Sequence, residues 1–207
     1  MKKNYVITIG RQLGSGGRLV ADVLGKRFGI PVYDKELINE AAKTSGLNPA
    51  LFEKADEQSP RLFTMDSSAG LAADTFAASL TSGYINNDML FGMQSDTIRR
   101  LADQGPCIIV GRCADYVLRD RPDILTVFIT APVEDRVKRV AASLGMSDRE
   151  ARAFIALTEK KRAAYYNYYT FKAWGAADSY HLCLDSSLLG IEGSADSVAC
   201  FAERLFE

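Results

Sequence analysis

The sequence predicts an α/β protein built on a doubly wound, five-stranded parallel sheet. Three observations predict it. Five short apolar runs alternate with stretches of helical spacing. The first, third and fourth runs are apolar throughout, as in strands covered by helices on both faces. The chain has 207 residues, 47% apolar and 25% charged, the composition of a globular protein. At this length roughly 70% of the unfolded surface is buried, and no disulfide or metal staple is needed. Length over about 150 gives roughly 1.4 domains, which favours one domain with excursions over two.

The first strand is predicted at Tyr5-Val-Ile-Thr-Ile9. A glycine-rich turn follows, then a helix marked by Leu19, Val23, Leu24 and Phe28. Ile30-Pro-Val-Tyr33 is the second strand. The stretch 35–104 comes next. Its start (Leu37, Ile38, Ala41, Ala42) and its end (Met93, Ile98, Leu101) have helical spacing. Its middle, Ser59 to Gly83, is rich in Ser, Ala and Thr, which predicts a mobile or helical excursion. The turn pair Gly105-Pro106 introduces the third strand, Cys107 to Val110. Ile124 to Ile129 is the fourth and His181 to Leu184 the fifth. A second excursion, 145–180, separates these two. It carries Arg149, Arg152, Lys160, Lys161 and Arg162, then Tyr165, Tyr166, Tyr168 and Tyr169. The tyrosines are spaced to pack a helix or a subunit interface, so a homo-oligomer is one expectation.

Composition excludes several function classes. Twenty-five Lys and Arg against 26 Asp and Glu give a net charge of −1. A protein made chiefly to neutralise nucleic-acid phosphates would be basic, so no nucleic-acid partner is expected. His181 is the one imidazole, which excludes His-rich metal sites. Any Ser-His-Asp triad would have to use it, and a structural role at the head of the fifth strand is expected instead. The four cysteines lack CxxC spacing and are expected as free thiols in a reducing compartment. Cys107 and Cys183 lie in apolar runs, where burial is expected. No apolar run approaches 18 residues, and the N-terminal one is too short for a secretory signal. The expectation is a soluble cytoplasmic protein with no membrane partner.

The loop from Gly10 to Arg18 joins the first strand to the first helix. Gly14, Gly16 and Gly17 let backbone N–H groups turn inward at a helix N-terminus, which makes a cradle for an anion. With Arg11 and Arg18 flanking it, a phosphate site is expected over Arg11, Gly14, Ser15, Gly16, Gly17 and Arg18. Two patterns compete for it. Gly14-x-Gly16 with Asp34 twenty residues later imitates a dinucleotide fingerprint, but Leu19 stands at the third glycine. Four residues also separate the strand from Gly14. The P-loop pattern G-x-x-x-x-G-K-[ST] places its first Gly at Arg11, its second at Gly16, its Lys at Gly17 and its hydroxyl at Arg18. Only Gly16 fits. Arg18 or Arg11 is left to replace the lysine as a charge, and Ser15 to supply a metal-binding hydroxyl.

Six segments occur in the order seen in cytidylate kinases. They are Ile7-Thr-Ile9, Gly14-Ser-Gly-Gly17, Tyr33-Asp34, Ile109-Val-Gly-Arg112, Thr130-Ala-Pro-Val-Glu-Asp-Arg136 and Leu182-Cys-Leu-Asp-Ser-Ser187. Arg11-Gln-Leu-Gly-Ser-Gly-Gly-Arg18 and Lys161-Arg-Ala-Ala-Tyr-Tyr-Asn-Tyr-Tyr-Thr170 make the chain resemble the bacterial cytidylate-kinase-like family more closely, from residue 5 to about 205. The resemblance implies a P-loop NTPase-like fold as a single domain over 1–207. Its core would be 1–34, 105–144 and 181–207, with a monophosphate-binding excursion at 35–104 and a lid-like excursion at 145–180. It implies transfer of the ATP γ-phosphoryl group to CMP, dCMP or a related nucleoside monophosphate, with Mg²⁺. Such chemistry needs alignment and cations rather than an imidazole.

The resemblance also implies roles. Arg112 would hold the acceptor phosphate, and Arg18, Arg136 and Arg162 would join it in catalysis. Asp34 would contact the nucleotide or a metal-bound water, or else cap the following helix. Glu159 and Arg162 would form an acid-x-x-Arg pair at the substrate. Asp185 would support Mg²⁺ through water, or cap the strand end. The chain departs from the family pattern at Cys113, where Asp is usual, at Ile155, where a further Arg is usual, and at the absent P-loop lysine. A nucleotide-binding sensor with a degenerate P-loop is the second expectation, and an NAD-dependent oxidoreductase a distant third.

Overall fold

The computed structural model describes residues 4–34 and 87–207. Most of the first excursion, 35–86, therefore lies outside the described residues, including its expected first helix and its Ser/Ala/Thr-rich middle. Five strands form one parallel sheet: β1 (Val6–Arg11), β2 (Val32–Tyr33), β3 (Cys107–Val110), β4 (Ile124–Thr130) and β5 (Leu182–Asp185). Their spatial order is β2-β3-β1-β4-β5. Val6 pairs with Cys107 on one side and Ile124 on the other, and Ile9 with Val110 and Val127. A dinucleotide-binding sheet places its first strand beside its second. Here β1 lies between β3 and β4, so the topology removes the oxidoreductase alternative.

Strand alternation sorts the apolar side chains into two cores. Ile7, Ile9, Ile108, Val110, Leu125, Val127 and Ile129 face one side. There they meet Val20, Ala21 and Leu24 of α1 (Gly17–Phe28) and Ala195, Val198, Ala199 and Ala202 of the C-terminal helix. Val6, Cys107, Ile109 and Ile124 face the other side. They meet Ile98, Leu101 and Ala102 of α2 (Asn87–Gln104) and Ala114 and Val117 of the short α3 (Ala114–Val117). The first helix keeps most of its expected stripe, with Leu24 buried and Val23 and Phe28 packed against the core. Leu19 is exposed, and Val20 and Ala21 are buried in its place. Val20 and Leu24 stand four residues apart and share a face that Leu19 leaves.

Two further helices follow β4. They are α4 (Val133–Leu144) and α5 (Asp148–Thr170), and Val137 and Val140 of the first pack on Ala151 and Ile155 of the second. A capping box starts α5, with Ser147 and Glu150 bonded to each other's backbone N–H. Beyond β5 runs α6 (Ser186–Leu205), interrupted by Gly190 in a non-helical conformation. At β5, Leu182 and Leu184 join the core while Cys183 is exposed. The expected burial of Cys183 is thus corrected. β5 is the last strand in the sheet order, and alternation turns its middle residue away from the core. Cys107 is buried as expected, and burial pushes its thiol up to about 12. His181 serves the sheet. Its N–H donates to the Thr126 carbonyl at 2.9 Å, and its Nδ1 accepts the Thr126 N–H at 3.2 Å. No helix among the described residues is long and apolar enough to cross a membrane.

Candidate active site

The expected site residues gather at the carboxyl ends of the parallel strands, where open α/β sheets bind their ligands. The loop after β1 turns tightly through Gly14 and Gly16, both at φ 79°. Gly14 also touches α4 closely, since a Cβ there would stand 2.8 Å from the Arg136 carbonyl oxygen. Ser15 between them is fully buried, and its hydroxyl donates to the Gln12 carbonyl at 2.9 Å. The loop leads directly into the N-terminus of α1, where unpaired N–H groups favour anions.

Three arginines line one cleft beside this loop. Arg11 comes from the end of β1, Arg112 from the turn after β3 and Arg162 from the C-terminal half of α5. Arg112 is 5% exposed. Burial and the neighbouring Arg11 charge lower its pKa to about 10, so it remains a cation at neutral pH. Its backbone belongs to a run of three left-handed residues, Gly111 (φ 76°), Arg112 (φ 60°) and Cys113 (φ 53°). Two non-glycine residues there cost on the order of 1–3 kcal/mol each, strain of the kind that concentrates at functional turns. The run ends β3 sharply and starts α3, with the Ala114 N–H donating to the Gly111 carbonyl at 3.1 Å. Cys113 is buried in an aromatic cluster that itself lines the cleft, through Tyr165, Tyr166 and Tyr180.

Asp34, just past β2, draws two of the loop's arginines together. Its carboxylate lies 3.5 Å from Arg11 Nη2 and 3.1 Å from Arg18 Nη1. Arg18 also binds Asp22 one turn along α1, with Nε at 3.1 Å. Arg136 and Glu159 form a largely buried ion pair at 2.6 Å. Arg136 also donates to the Ala131 carbonyl at 2.9 Å and reaches the Leu13 carbonyl in the glycine loop at 3.5 Å. Glu159 therefore faces α4, while Arg162 faces the cleft. Asp185 accepts the Ser187 N–H at 2.8 Å and caps α6.

Sequence reasoning missed Arg139. It donates to the Gly14 carbonyl at 3.2 Å and to the hydroxyls of Ser186 and Ser187 at 3.3 and 3.1 Å. Ser186 in turn donates to the Ser15 carbonyl. Together they brace the back of the glycine loop against α6. The one available signal was Arg139 following Arg136 by three residues, which places both on one face of α4.

Three of the α5 tyrosines, Tyr165, Tyr166 and Tyr169, are buried, while Tyr168 is exposed. Tyr169 stacks on Phe91 of α2 with ring centroids 4.0 Å apart. Tyr165 donates its hydroxyl to Gln94, Tyr169 to Asp88 and Tyr166 to Asp115, the last at 2.7 Å. Burial raises the Asp115 pKa, opposed by the Tyr166 hydrogen bond. The folded protein therefore holds a proton on Asp115 more tightly than the unfolded chain does. The resulting stability is present in acid and falls as pH rises through the raised pKa. Asp115→Asn is expected to melt above the wild type at neutral pH and to converge with it in acid, read by thermal denaturation across pH.

Among the described residues no group of three or more His, Cys, Asp or Glu stands ready to hold a metal.

The chain matches, over residues 6–188, the model of the cytidylate kinase-like family. It is 27% identical over 172 residues to a cytidylate kinase of Methanopyrus kandleri, covering 79% of this chain and 75% of that protein. Among solved structures it is similar to an uncharacterized protein from Eubacterium ventriosum. That match has a TM-score of 0.68 and 25% identity, and covers 97% of this chain and 99% of the other. A shikimate kinase from Bacteroides thetaiotaomicron shares the fold at a TM-score of 0.56 and 14% identity, covering 96% and 98% of the two chains.

Proposed function

We propose, from the premise that the chain belongs to the cytidylate kinase-like family, that it moves the ATP γ-phosphoryl group to a nucleoside monophosphate, CMP or dCMP foremost. The observation that carries this reading is the convergence of Arg11, Arg112 and Arg162 on one cleft beside the glycine loop. Phosphoryl transfer spreads negative charge over the moving group, and fixed cations stabilise that charge without reorganising.

In this mechanism the loop Gly14–Gly17 and the N-terminus of α1 hold the donor phosphates. Arg112 holds the acceptor phosphate with its planar fork. Arg162 reaches the same cleft from α5 and draws the two phosphates together. Asp34 orients Arg11 and Arg18 and faces the acceptor side. Arg136, positioned by Glu159, supports the loop from behind. Mg²⁺ bound with ATP would neutralise donor phosphate charge. Asp34 and Asp185 are the residues of this chain that would attend it, directly or through water; Ser15, expected there too, is buried with its hydroxyl committed to the Gln12 carbonyl.

The test is ADP release by the purified chain with Mg²⁺, ATP and each nucleoside monophosphate. CMP or dCMP is expected to give the highest kcat/KM. No ADP above background with any monophosphate would overturn the proposal. One observation favours a second reading as a nucleotide-binding sensor: Gly17 and Arg18 occupy the places of the P-loop lysine and hydroxyl. That reading expects ATP to raise the melting temperature while no acceptor, shikimate included, yields product.

A further inference from the structure

We infer that Arg11 does the work of the absent P-loop lysine, delivered from the end of β1 through a slot that Gly17 leaves open. This rests on the phosphotransferase reading and deepens it. The common pattern has Gly at the place of Arg11 and Lys at the place of Gly17. In this chain the large cation and the glycine have changed places.

The structure shows why the two changes go together. A Cβ on Gly17 would stand 2.6 Å from the Arg11 Cβ and 3.2 Å from its Cγ. The Arg11 stem thus fills the space that a side chain at 17 would need. Backbone conformation does not call for glycine there, because Gly17 is the first residue of α1 and has no left-handed φ. Two side chains whose first carbons would collide start from the same point. An arginine stem at 11 and a lysine stem at 17 therefore compete for the same space.

The far end of Arg11 supports the same role. Its guanidinium occupies the position where a Cβ on Gly111 would lie, and Nη2 is 3.5 Å from Asp34. The group stands over the junction of β1 and β3, within the cleft shared with Arg112 and Arg162. Arg18, the other cation of the loop, runs along α1 to Asp22 and Asp34 and is 39% exposed. A cation in phosphoryl transfer acts through its field, so its point of attachment is immaterial once its head is in place.

The test compares the wild type with Arg11→Gly, Arg11→Met, Gly17→Lys and the double variant Arg11→Gly/Gly17→Lys. Each is first melted to show that it folds. Binding of inorganic tripolyphosphate is measured by calorimetry, and ADP release with the best acceptor is measured alongside. Arg11→Met, which keeps the stem but drops the charge, is expected to lose turnover roughly 10²–10³-fold. Gly17→Lys alone, with two stems in one slot, is expected to lose binding as well. The double variant is expected to regain about tenfold or more over either single change, a strong non-additivity between touching residues. A folded double variant no better than Arg11→Gly overturns the inference, as does an Arg11→Met protein that matches the wild type.

A second measurement needs no activity. Gly17→Ala is expected to lower the melting temperature when Arg11 is present and to raise it in the Arg11→Gly background, where alanine only favours the helix. Equal shifts in both backgrounds overturn the slot. Should tripolyphosphate binding follow the expected pattern while no acceptor is phosphorylated, the inference stands and the phosphotransferase reading falls. A wild type that binds no tripolyphosphate overturns the inference itself.

Discussion

Arg112→Met is expected to cut phosphoryl transfer roughly 10²–10³-fold while making the protein more stable, two effects that a purely structural arginine would not combine. The loss follows from the place of Arg112 in the cleft beside Arg11 and Arg162. The gain follows from burial. Desolvation lowers its pKa from the ordinary arginine value to about 10, which means the fold disfavours the charge it holds. The sign is opposite to that of Asp115. At any pH below about 10 the native state carries the cost of the buried cation. That cost is relieved only as pH rises through this value and the group deprotonates. A methionine of similar length removes the cost across the neutral range. The expected result is a higher urea midpoint beside a collapsed kcat. Arg112→Lys is expected to recover little activity, since an ammonium does not reproduce the two-pronged contact of a guanidinium. An unchanged kcat in Arg112→Met, or a lower midpoint, would count against this account.

The second large effect is expected on stability. Glu159→Leu leaves the Arg136 charge behind at 7% side-chain exposure. Removing one partner of such a pair typically costs about 3–5 kcal/mol. Replacing both partners, as Arg136→Met/Glu159→Leu, is expected to cost far less, because no uncompensated charge remains. Denaturant unfolding of the two single variants and the double gives the coupling directly. Additive losses would show that the pair is not coupled. Arg136 touches the glycine loop, so the double variant is expected to fold well and still lose donor affinity.

Much of the sheet was legible because continuous apolar runs have few other uses. Cys107 to Val110 is both the expected and the observed third strand. The remaining strands shift by one or two residues, since backbone pairing rather than side-chain polarity sets their ends. Arg11 extends β1 because it pairs in register with Ile129, which no periodicity signals. Leu19 looked like core and is exposed, because it stands at the edge of a face whose other expected members, Val23, Leu24 and Phe28, do meet the core. Cys183 looked buried because a strand at the sheet edge can read as apolar on both faces. The expected phosphate residues were readable as types at strand ends, but their partners were not. That Glu159 meets Arg136 across 23 positions, or that Arg139 braces Ser186, depends on how α4 lies between α5 and α6. The relation between Arg11 and Gly17 was hidden for another reason. A pattern match scores each as a separate defect, while in space one makes room for the other.

The helix α5 has a consequence for how the two halves of the cleft communicate. Near its middle, Glu159 grips Arg136, which reaches the glycine loop at Leu13. Near its end, Tyr165 and Tyr169 hold Gln94 and Asp88 of α2, the helix that closes the 35–104 stretch. One helical rod therefore connects, through Arg136, to the glycine loop and, directly, to the segment leading from the 35–104 stretch. A ligand that displaces this rod from one end works against its grip at the other. Thermodynamic linkage then requires reciprocity: whatever factor donor binding applies to acceptor affinity, acceptor binding applies to donor affinity. The aromatic cluster, which reads at first as mere packing, thus ties α5 to α2 while Glu159 ties the same helix to Arg136 of α4.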